Sequence, residues 1–417
     1  MNNEKIKKII VAQNAIRLLS GILDELSLRG KVLLIADNHT FRSAGEQVKA
    51  SLIDGGYPVQ EIILQRAESL VPDEKALGEI LIKMDPDIEV LMAVGSGSIT
   101  DLTRYISYKF RKPFIAVPTA PSMDGYASSV APLTIHGFKQ TLAATPPVAI
   151  VTEPEILVDA PAEMILAGFG DLLGKYTSLA DWKLSNIING EGYSQEIASA
   201  VRSSLDKTVA NFHRQVKDPV LIKNLTEALI FSGEAILQWG NSRPASGAEH
   251  HLAHFWEMQA ALAGKKSHLH GTKVGIAVIL VAELYHKLFQ LKPADVKRSI
   301  ENSKLESEED YIQRITKVYG PLAEAILADL KGFYRDPVKR AELQRIIPEQ
   351  WELMKKWVQD NVPTAETIRE KMVQAGAPIT AEAIDVNDEM LQIAMKNAKE
   401  VRTRYTVFRL AEDIGWS

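Results

Sequence analysis

Cysteine is absent from all 417 residues, which excludes disulfides, thiolate catalysis and cysteine-ligated zinc or iron–sulfur centres. Any metal is left to His, Asp and Glu. Basic charge is not in excess either: 48 Lys and Arg stand against 53 Asp and Glu, a formal net charge of −5. No global field therefore draws the surface toward nucleic acid or anionic lipid, and an anionic ligand must be held by local groups. Nowhere do about 18 apolar residues run uninterrupted, the length a bilayer crossing requires, so no stable membrane insertion is expected. The start, MNNEKIKKIIVAQNAIRLLSGILDEL, is basic and then apolar, yet charges and a helical period run through it and no small-residue cleavage site comes after it. It reads as a folded helix, and a cytoplasmic location is expected. With 46% hydrophobic and 24% charged residues, the chain is globular and long enough for two or three domains.

Up to about residue 160, short apolar runs alternate with helical patterns. Lys31 to Asp37, Glu61 to Gln65, Glu89 to Gly95, Pro113 to Thr119 and Val148 to Thr152 are four to eight residues long, β-branched and apolar on both faces. Such runs suit a parallel sheet covered by helices, so 1–160 is expected to be a doubly wound α/β domain. From Pro161 long 3.6-periodic stretches take over, and 161–417 is expected to be mostly helical. Pro161 opens a helix that Gly168 and Gly170 interrupt, with the pattern resuming from Asp171. Pro219, Pro244, Pro293, Pro321, Pro348 and Pro363 punctuate the remainder of the chain.

Four stretches offer chemistry. In VGSGSITDLTRY a buried strand ends in Gly95-Ser96-Gly97-Ser98 and a helix starts at once, so its first N–H groups and dipole would face a pyrophosphate; Ser98 with Asp101 also reads as a plain capping box. Asp37, ending the first predicted strand, is placed either to accept from a ribose hydroxyl or to cap a helix. TAPSMDGYASSVAPL is long for a connection and brings Thr119, Ser122, Asp124 and Ser128 near the sheet's carboxyl edge. Five of the nine histidines (His250, His251, His254, His268, His270) fall within 21 residues, a clustering that points to metal or acid–base chemistry. His250 and His254 share a helix face, whereas His251, His268, His39, His136, His213 and His286 read as surface or core residues. Asp171, after Gly-Phe-Gly, is by default an N-cap. Together with two histidines from other helices it becomes the third ligand of an Asp/His/His site that leaves a position open for substrate or water.

Read together, PSMDGYAS, GFGDLLGK and RPASGAEHHLAH followed by HGTKVG resemble the family of glycerol dehydrogenase, the iron-type alcohol dehydrogenases and dehydroquinate synthase. They are most similar to its sn-glycerol-1-phosphate dehydrogenase branch, including the bacterial members. The resemblance implies a nucleotide-binding α/β domain followed by a helical metal-binding domain, a dehydroquinate-synthase-like architecture. It implies Asp171, His250 and His270 as ligands of one divalent ion per chain, zinc or nickel foremost, with His254 and Asp124 on the substrate. Gly95, Ser96, Gly97, Ser98, Asp101, Thr119, Ser122 and Ser128 would line NAD(H) or NADP(H), with Asp37 near the adenosine ribose. The expected reaction is reduction of dihydroxyacetone phosphate to sn-glycerol 1-phosphate for phosphoglycerolipid synthesis, in a homodimer. Two positions depart from the family, whose glycine-rich segment usually reads GGGS followed by a lysine: here Ser96 and Arg104 stand there. Lys273, Arg243, Lys175 and Lys266 are unranked candidates for the substrate phosphate. The alternatives are a dehydrogenase of an unphosphorylated polyol, a dehydroquinate-synthase-like lyase, whose HTFGH string and Glu ligand contrast with HHLAH and Asp171, and a nucleotide-binding scaffold without catalysis.

Overall fold

The computed structural model describes residues 6–66, 70–135, 138–212, 217–303, 306–330 and 337–416. It divides into two compact units, Met1–Leu172 with Ala210–Gly240, and Leu173–Val209 with Asn241–Ser417.

The first unit is built on a six-stranded, wholly parallel sheet of β1 (Lys8–Val11), β2 (Lys31–Asp37), β3 (Val59–Leu64), β4 (Ile88–Gly95), β5 (Phe114–Pro118) and β8 (Ala149–Thr152), in the order β1-β8-β5-β4-β2-β3. Alternate residues face opposite ways, and both faces are buried. Leu33, Ile35, Leu91, Ala93, Phe114 and Ala116 enter one core, while Val32, Leu34, Ala36, Met92, Val94, Ile115 and Val117 enter the other. That is why these strands read as continuous apolar runs rather than as an alternation.

The amino-terminal segment departs from the helix expected of it. Lys8–Val11 is an edge strand whose β-branched residues pair in parallel with Ala149–Thr152, and helical structure begins only at Ala15. A second addition is an antiparallel hairpin of β6 (Val130–Ile135) and β7 (Phe138–Ala143), outside the main sheet.

From β2 the chain moves outward to β3, then returns to the other side of β2 to form β4 and continues outward to β5. The order therefore reverses between β2 and β4. Their carboxyl ends, Asp37 and Gly95, flank the crevice where open α/β sheets take up ligands.

The glycines of AGFGDLL do not break the helix. Ala162–Leu173 runs through both, and Asp171 lies near its carboxyl end rather than at an N-cap. Gly168 serves packing, since a Cβ there would lie 1.7 Å from the carbonyl oxygen of Pro121. Pro348 likewise stands inside the helix Pro337–Asn361 instead of ending one.

The second unit is helical. Buried Asp181, on the helix Lys175–Asn189, accepts from Ala248 N–H (2.6 Å), Val407 N–H (2.7 Å) and the Tyr285 hydroxyl (2.6 Å). One carboxylate thus ties the starts of the helices Ala248–Leu262 and Val407–Asp413, where the helix dipole favours an anion, to the last turn of His270–Leu288. A Cβ on Gly247 would meet the Asp181 carboxylate at 2.5 Å, so glycine is what lets that helix start approach. Among the described residues no single helix is long and apolar enough to cross a membrane.

Candidate active site

In the first unit the carboxyl end of β4 runs directly into the helix Gly97–Phe110, with Ser96 at its N-cap and no side chain capping it. Ser98 lies inside the first turn, so the capping box suggested for Ser98 and Asp101 does not form. The first N–H groups of a 14-residue helix remain unclaimed by a cap at the sheet's reversal point, which suits a dinucleotide phosphate. Asp37 does cap a helix: its Oδ1 accepts from His39 and Thr40 N–H, both at 2.8 Å, and the Thr40 hydroxyl accepts from the Asp37 N–H in return. Two hydrogen bonds to one oxygen leave Oδ2 free among the described residues.

Asp101 has a structural partner, Arg104, at 2.7 Å, and both are buried. The same guanidinium donates to the carbonyls of Gly125 (2.5 Å), Tyr126 (2.8 Å) and Val130 (3.1 Å). Arg104 thus clamps the loop 119–129 to the helix Gly97–Phe110. That loop is fixed further by Thr119 N–H to Gly95 O, by the Tyr126 hydroxyl to Ala120 O, and by Ser128, which bonds both the N–H and the carbonyl of Val130. Ser122 lies on the same loop. The Asp124 N–H donates to Asp171 Oδ2 at 3.0 Å, and its carboxylate accepts from the Ser232 hydroxyl at 3.1 Å. Asp124 and Asp171, singled out in separate strings, are therefore in direct contact. Asp171 is fully buried.

In the second unit His250, His254 and His270 converge, with ring centroids 5.1 to 6.2 Å apart. His250 and His254 project from successive turns of Ala248–Leu262, and His270 opens the next long helix. Each ring is oriented through Nδ1: His250 by Glu249 (2.8 Å), His270 by Glu257 (2.8 Å) and His254 by the other oxygen of Glu257 (3.2 Å). Glu249 is held in turn by Gly247 N–H and the Thr177 hydroxyl, both at 2.6 Å. A carboxylate on Nδ1 fixes the tautomer and turns Nε2 outward, the arrangement that prepares imidazole to ligate a cation. His250 and His270 fit that role. His254 differs, because its Nε2 faces the Arg402 guanidinium at 3.4 Å. His254, Glu257 and His270 also lie close enough to count as a second metal-binding trio, but their facing atoms are already spent on one another. Burial holds the His254 imidazole well below its usual range, against the pull of Glu257.

The remaining histidines separate from this group. His268 pairs with exposed Asp385, His286 bonds the Val362 carbonyl, and His39 sits on the surface near Arg42. His251 is fully buried with neither ring nitrogen bonded among the described residues. His136 and His213 lie outside the described residues. Of the phosphate candidates, Lys175 donates to Ala245 O, Lys273 to Ser267, His268 O and Glu257, and Arg243 to Glu191 and Tyr405 O, while Lys266 is exposed. Sequence reasoning missed Glu249, Glu257, Arg402 and Arg404. For the glutamates a signal existed, since each stands on the same helix as its histidine, one residue before His250 and three after His254.

Comparison with known proteins concerns the family and the fold. Residues 10–161 match the family model of iron-containing alcohol dehydrogenases. Over nearly its whole length the chain shares its fold with solved dehydrogenases and reductases. One example is sulfoacetaldehyde reductase from Bifidobacterium kashiwanohense in complex with NAD+, at 14% identity and a TM-score of 0.57 over 99% of this chain and 98% of that one. Sequence likeness is narrower. Glycerol-1-phosphate dehydrogenase (NAD(P)+) of Halalkalibacterium halodurans is 42% identical over 284 residues, 67% of this chain and 71% of that protein. The protein of that name from Geobacillus thermodenitrificans is 32% identical over 406 residues, 96% of this chain and 91% of its own length. The chain belongs to the glycerol-1-phosphate dehydrogenase family.

Proposed function

We propose that this chain reduces dihydroxyacetone phosphate to sn-glycerol 1-phosphate with NADH or NADPH, reversibly, in the cytoplasm. The observation that carries the reading is the carboxylate-oriented pair His250 and His270 in a chain 32% identical, over nearly its whole length, to a glycerol-1-phosphate dehydrogenase. In this reading the first unit holds the dinucleotide. The helix start at Gly95, Ser96, Gly97 and Ser98 takes the pyrophosphate, Thr119, Ser122 and Ser128 shape the loop beside it, and Asp37 offers Oδ2 to the ribose. Asp101 acts from behind, through Arg104.

Asp171, with His250 and His270, is the proposed ligand set for one divalent cation, zinc or nickel. Two features of Asp171 support this. It is fully buried, and it stands in the last turn of its helix, where the negative end of the dipole disfavours an anion unless a cation offsets it. The set's two imidazoles and one carboxylate suit either metal and leave room for substrate. When bound, the cation supplies Lewis-acid stabilisation of charge on the ketone oxygen and the nicotinamide supplies hydride. The protein's part is to orient and to move a proton. Asp124 meets the substrate from the loop that also bonds Asp171, and His254, with Nδ1 on Glu257 and Nε2 facing Arg402, is the imidazole proposed for a proton relay.

Turnover of NADH with dihydroxyacetone phosphate is compared with that on dihydroxyacetone, and the product is resolved by chiral analysis. A strong preference for the phosphorylated ketone and the 1-phosphate product is expected, lost with EDTA and restored by a divalent ion. Preference for the unphosphorylated ketone, or turnover indifferent to chelation, overturns the proposal.

A further inference from the structure

Near the carboxyl terminus a short 3-10 turn, Ala398–Val401, packs on the histidine-bearing helix, and the segment after it carries Arg402 and Arg404. The two guanidinium groups converge on one hydroxyl. Arg404 Nη2 donates to Ser242 Oγ at 2.7 Å and Arg402 Nη1 points to the same oxygen at 3.4 Å. Arg402 Nη2 faces His254 Nε2, and Arg404 Nη1 donates to Ser246 O at 3.1 Å. No carboxylate lies within ion-pair distance of either among the described residues. This contrasts with Arg243, held by Glu191, Arg314, held by Glu306, and Arg409, held by Glu400.

Arginine keeps its charge, and withdrawing a guanidinium from water without an anion is costly. Two such groups side by side are costlier, and their surroundings show it. Burial pulls the Arg404 guanidinium down to about 9, with Arg402 and Arg243 next in effect. Glu257 is the carboxylate that most offsets Arg402, and it is shared with His254, His270 and Lys273. Arg404 also reaches a cavity of about 440 Å³ that Arg243, Lys339, Arg340, Glu191 and Asp413 line, whereas Arg402, Ser242 and the histidines do not. Paired forks fit the oxygens of a phosphate better than ammonium groups do.

We propose that Arg402 and Arg404, with Ser242, bind the phosphate of the substrate and so set the preference for a phosphorylated ketone. This deepens the function proposed above and rests on it. The four cations considered from sequence are committed to neighbours or exposed, whereas these two are half-buried, Arg402 faces His254, and neither has a counter-ion within ion-pair distance among the described residues.

The test uses the metal-loaded full chain with Arg402→Met, Arg404→Met and the charge-preserving Arg402→Lys and Arg404→Lys, folding being checked by circular dichroism. KM for dihydroxyacetone phosphate should rise at least tenfold in each Met variant and less in each Lys variant. Inorganic phosphate should inhibit the unaltered protein competitively against the ketone phosphate and lose that effect in the Met variants. If a Met variant fails to fold, its Lys counterpart decides, because a lone ammonium cannot reproduce the fork. Unchanged KM and unchanged phosphate inhibition in folded variants overturn the proposal while leaving the reaction assignment intact. If the unaltered protein ignores dihydroxyacetone phosphate, the reaction assignment fails instead. Phosphate binding, read as a thermal shift that the variants lose, still decides whether the arginines form an anion site.

Discussion

Gly168→Ala sets two effects of known sign against each other. Replacing glycine by alanine inside a helix ordinarily stabilises by about 0.5–1 kcal/mol. Here the new Cβ would stand 1.7 Å from Pro121 O, 2.8 Å from its carbonyl carbon and 3.1 Å from Leu229 Cδ1. Restoring an ordinary contact takes a displacement of roughly 1.5 Å. What must move is backbone of the loop that Arg104 clamps at three carbonyls, not the end of a flexible side chain. Overpacking of this kind costs about 1–3 kcal/mol, and a backbone opponent puts it at the upper end, so the net effect is a loss of about 2 kcal/mol. Gly78 is the control. It lies in the helix Glu74–Lys83 of the same unit with nothing within 4 Å of a Cβ, so Gly78→Ala should gain about 0.5–1 kcal/mol. Urea midpoints at unchanged m separate the two, and the displaced Asp124 loop should also weaken nucleotide affinity in Gly168→Ala alone. If Gly168→Ala is as stable as Gly78→Ala, the close approach of loop and helix is not what this glycine serves.

Glu249→Gln and Glu257→Gln should each weaken divalent-ion affinity about 10- to 100-fold by loosening an imidazole, as read by metal retention against a chelator series; retention equal to the unaltered protein removes the orienting role. Arg104→Met should cost about 3–5 kcal/mol by leaving Asp101 buried without its guanidinium, and the double variant with Asp101→Leu should recover part of that loss in urea melts; no recovery would show that the carbonyl contacts matter more than the pair. Asp413, beside the Tyr405 hydroxyl, is pushed up to about 6, chiefly by burial. Its folded carboxyl holds a proton that the unfolded chain releases near 3.8, so its contribution is complete below pH 4 and is lost as pH climbs through 6, about 3 kcal/mol in all. The stability of the unaltered protein relative to Asp413→Asn should fall by that amount between pH 4 and 7, and a flat difference would place the titration elsewhere.

The sheet was legible because burial on both faces writes β2, β4 and β5 as unbroken apolar runs. β1 was not, since a four-residue edge strand set among lysines carries the periodicity of the helix that comes after it. Gly168 was misleading for a related reason: its value lies in the distant loop that approaches the helix there, and no local pattern records that. Among the site residues, Asp124 and Asp171 drew attention separately, and only tertiary packing brings the N–H of one to the carboxylate of the other. The histidines announced themselves by number. Their orienting glutamates did not, because a glutamate on a helix is ordinary until one knows which way it points.

Arg402 and Arg404 were the least visible, the first standing 148 residues from the histidine it faces. Their importance stems from how charge is distributed in the second unit. Glu249 and Glu257 are spent on imidazole Nδ1 atoms, so the negative charge lies behind the rings and suits the outward ring nitrogens to a cation. The guanidinium groups lie beyond His254 on the side facing Ser242, where no carboxylate among the described residues meets them, and suit that end to an anion. A ligand that satisfies both carries an oxygen to be polarised at one end and a dianion at the other. Dihydroxyacetone phosphate has that outline, whereas dihydroxyacetone would leave two half-buried positive charges unanswered, a cost charged to every encounter with the unphosphorylated ketone.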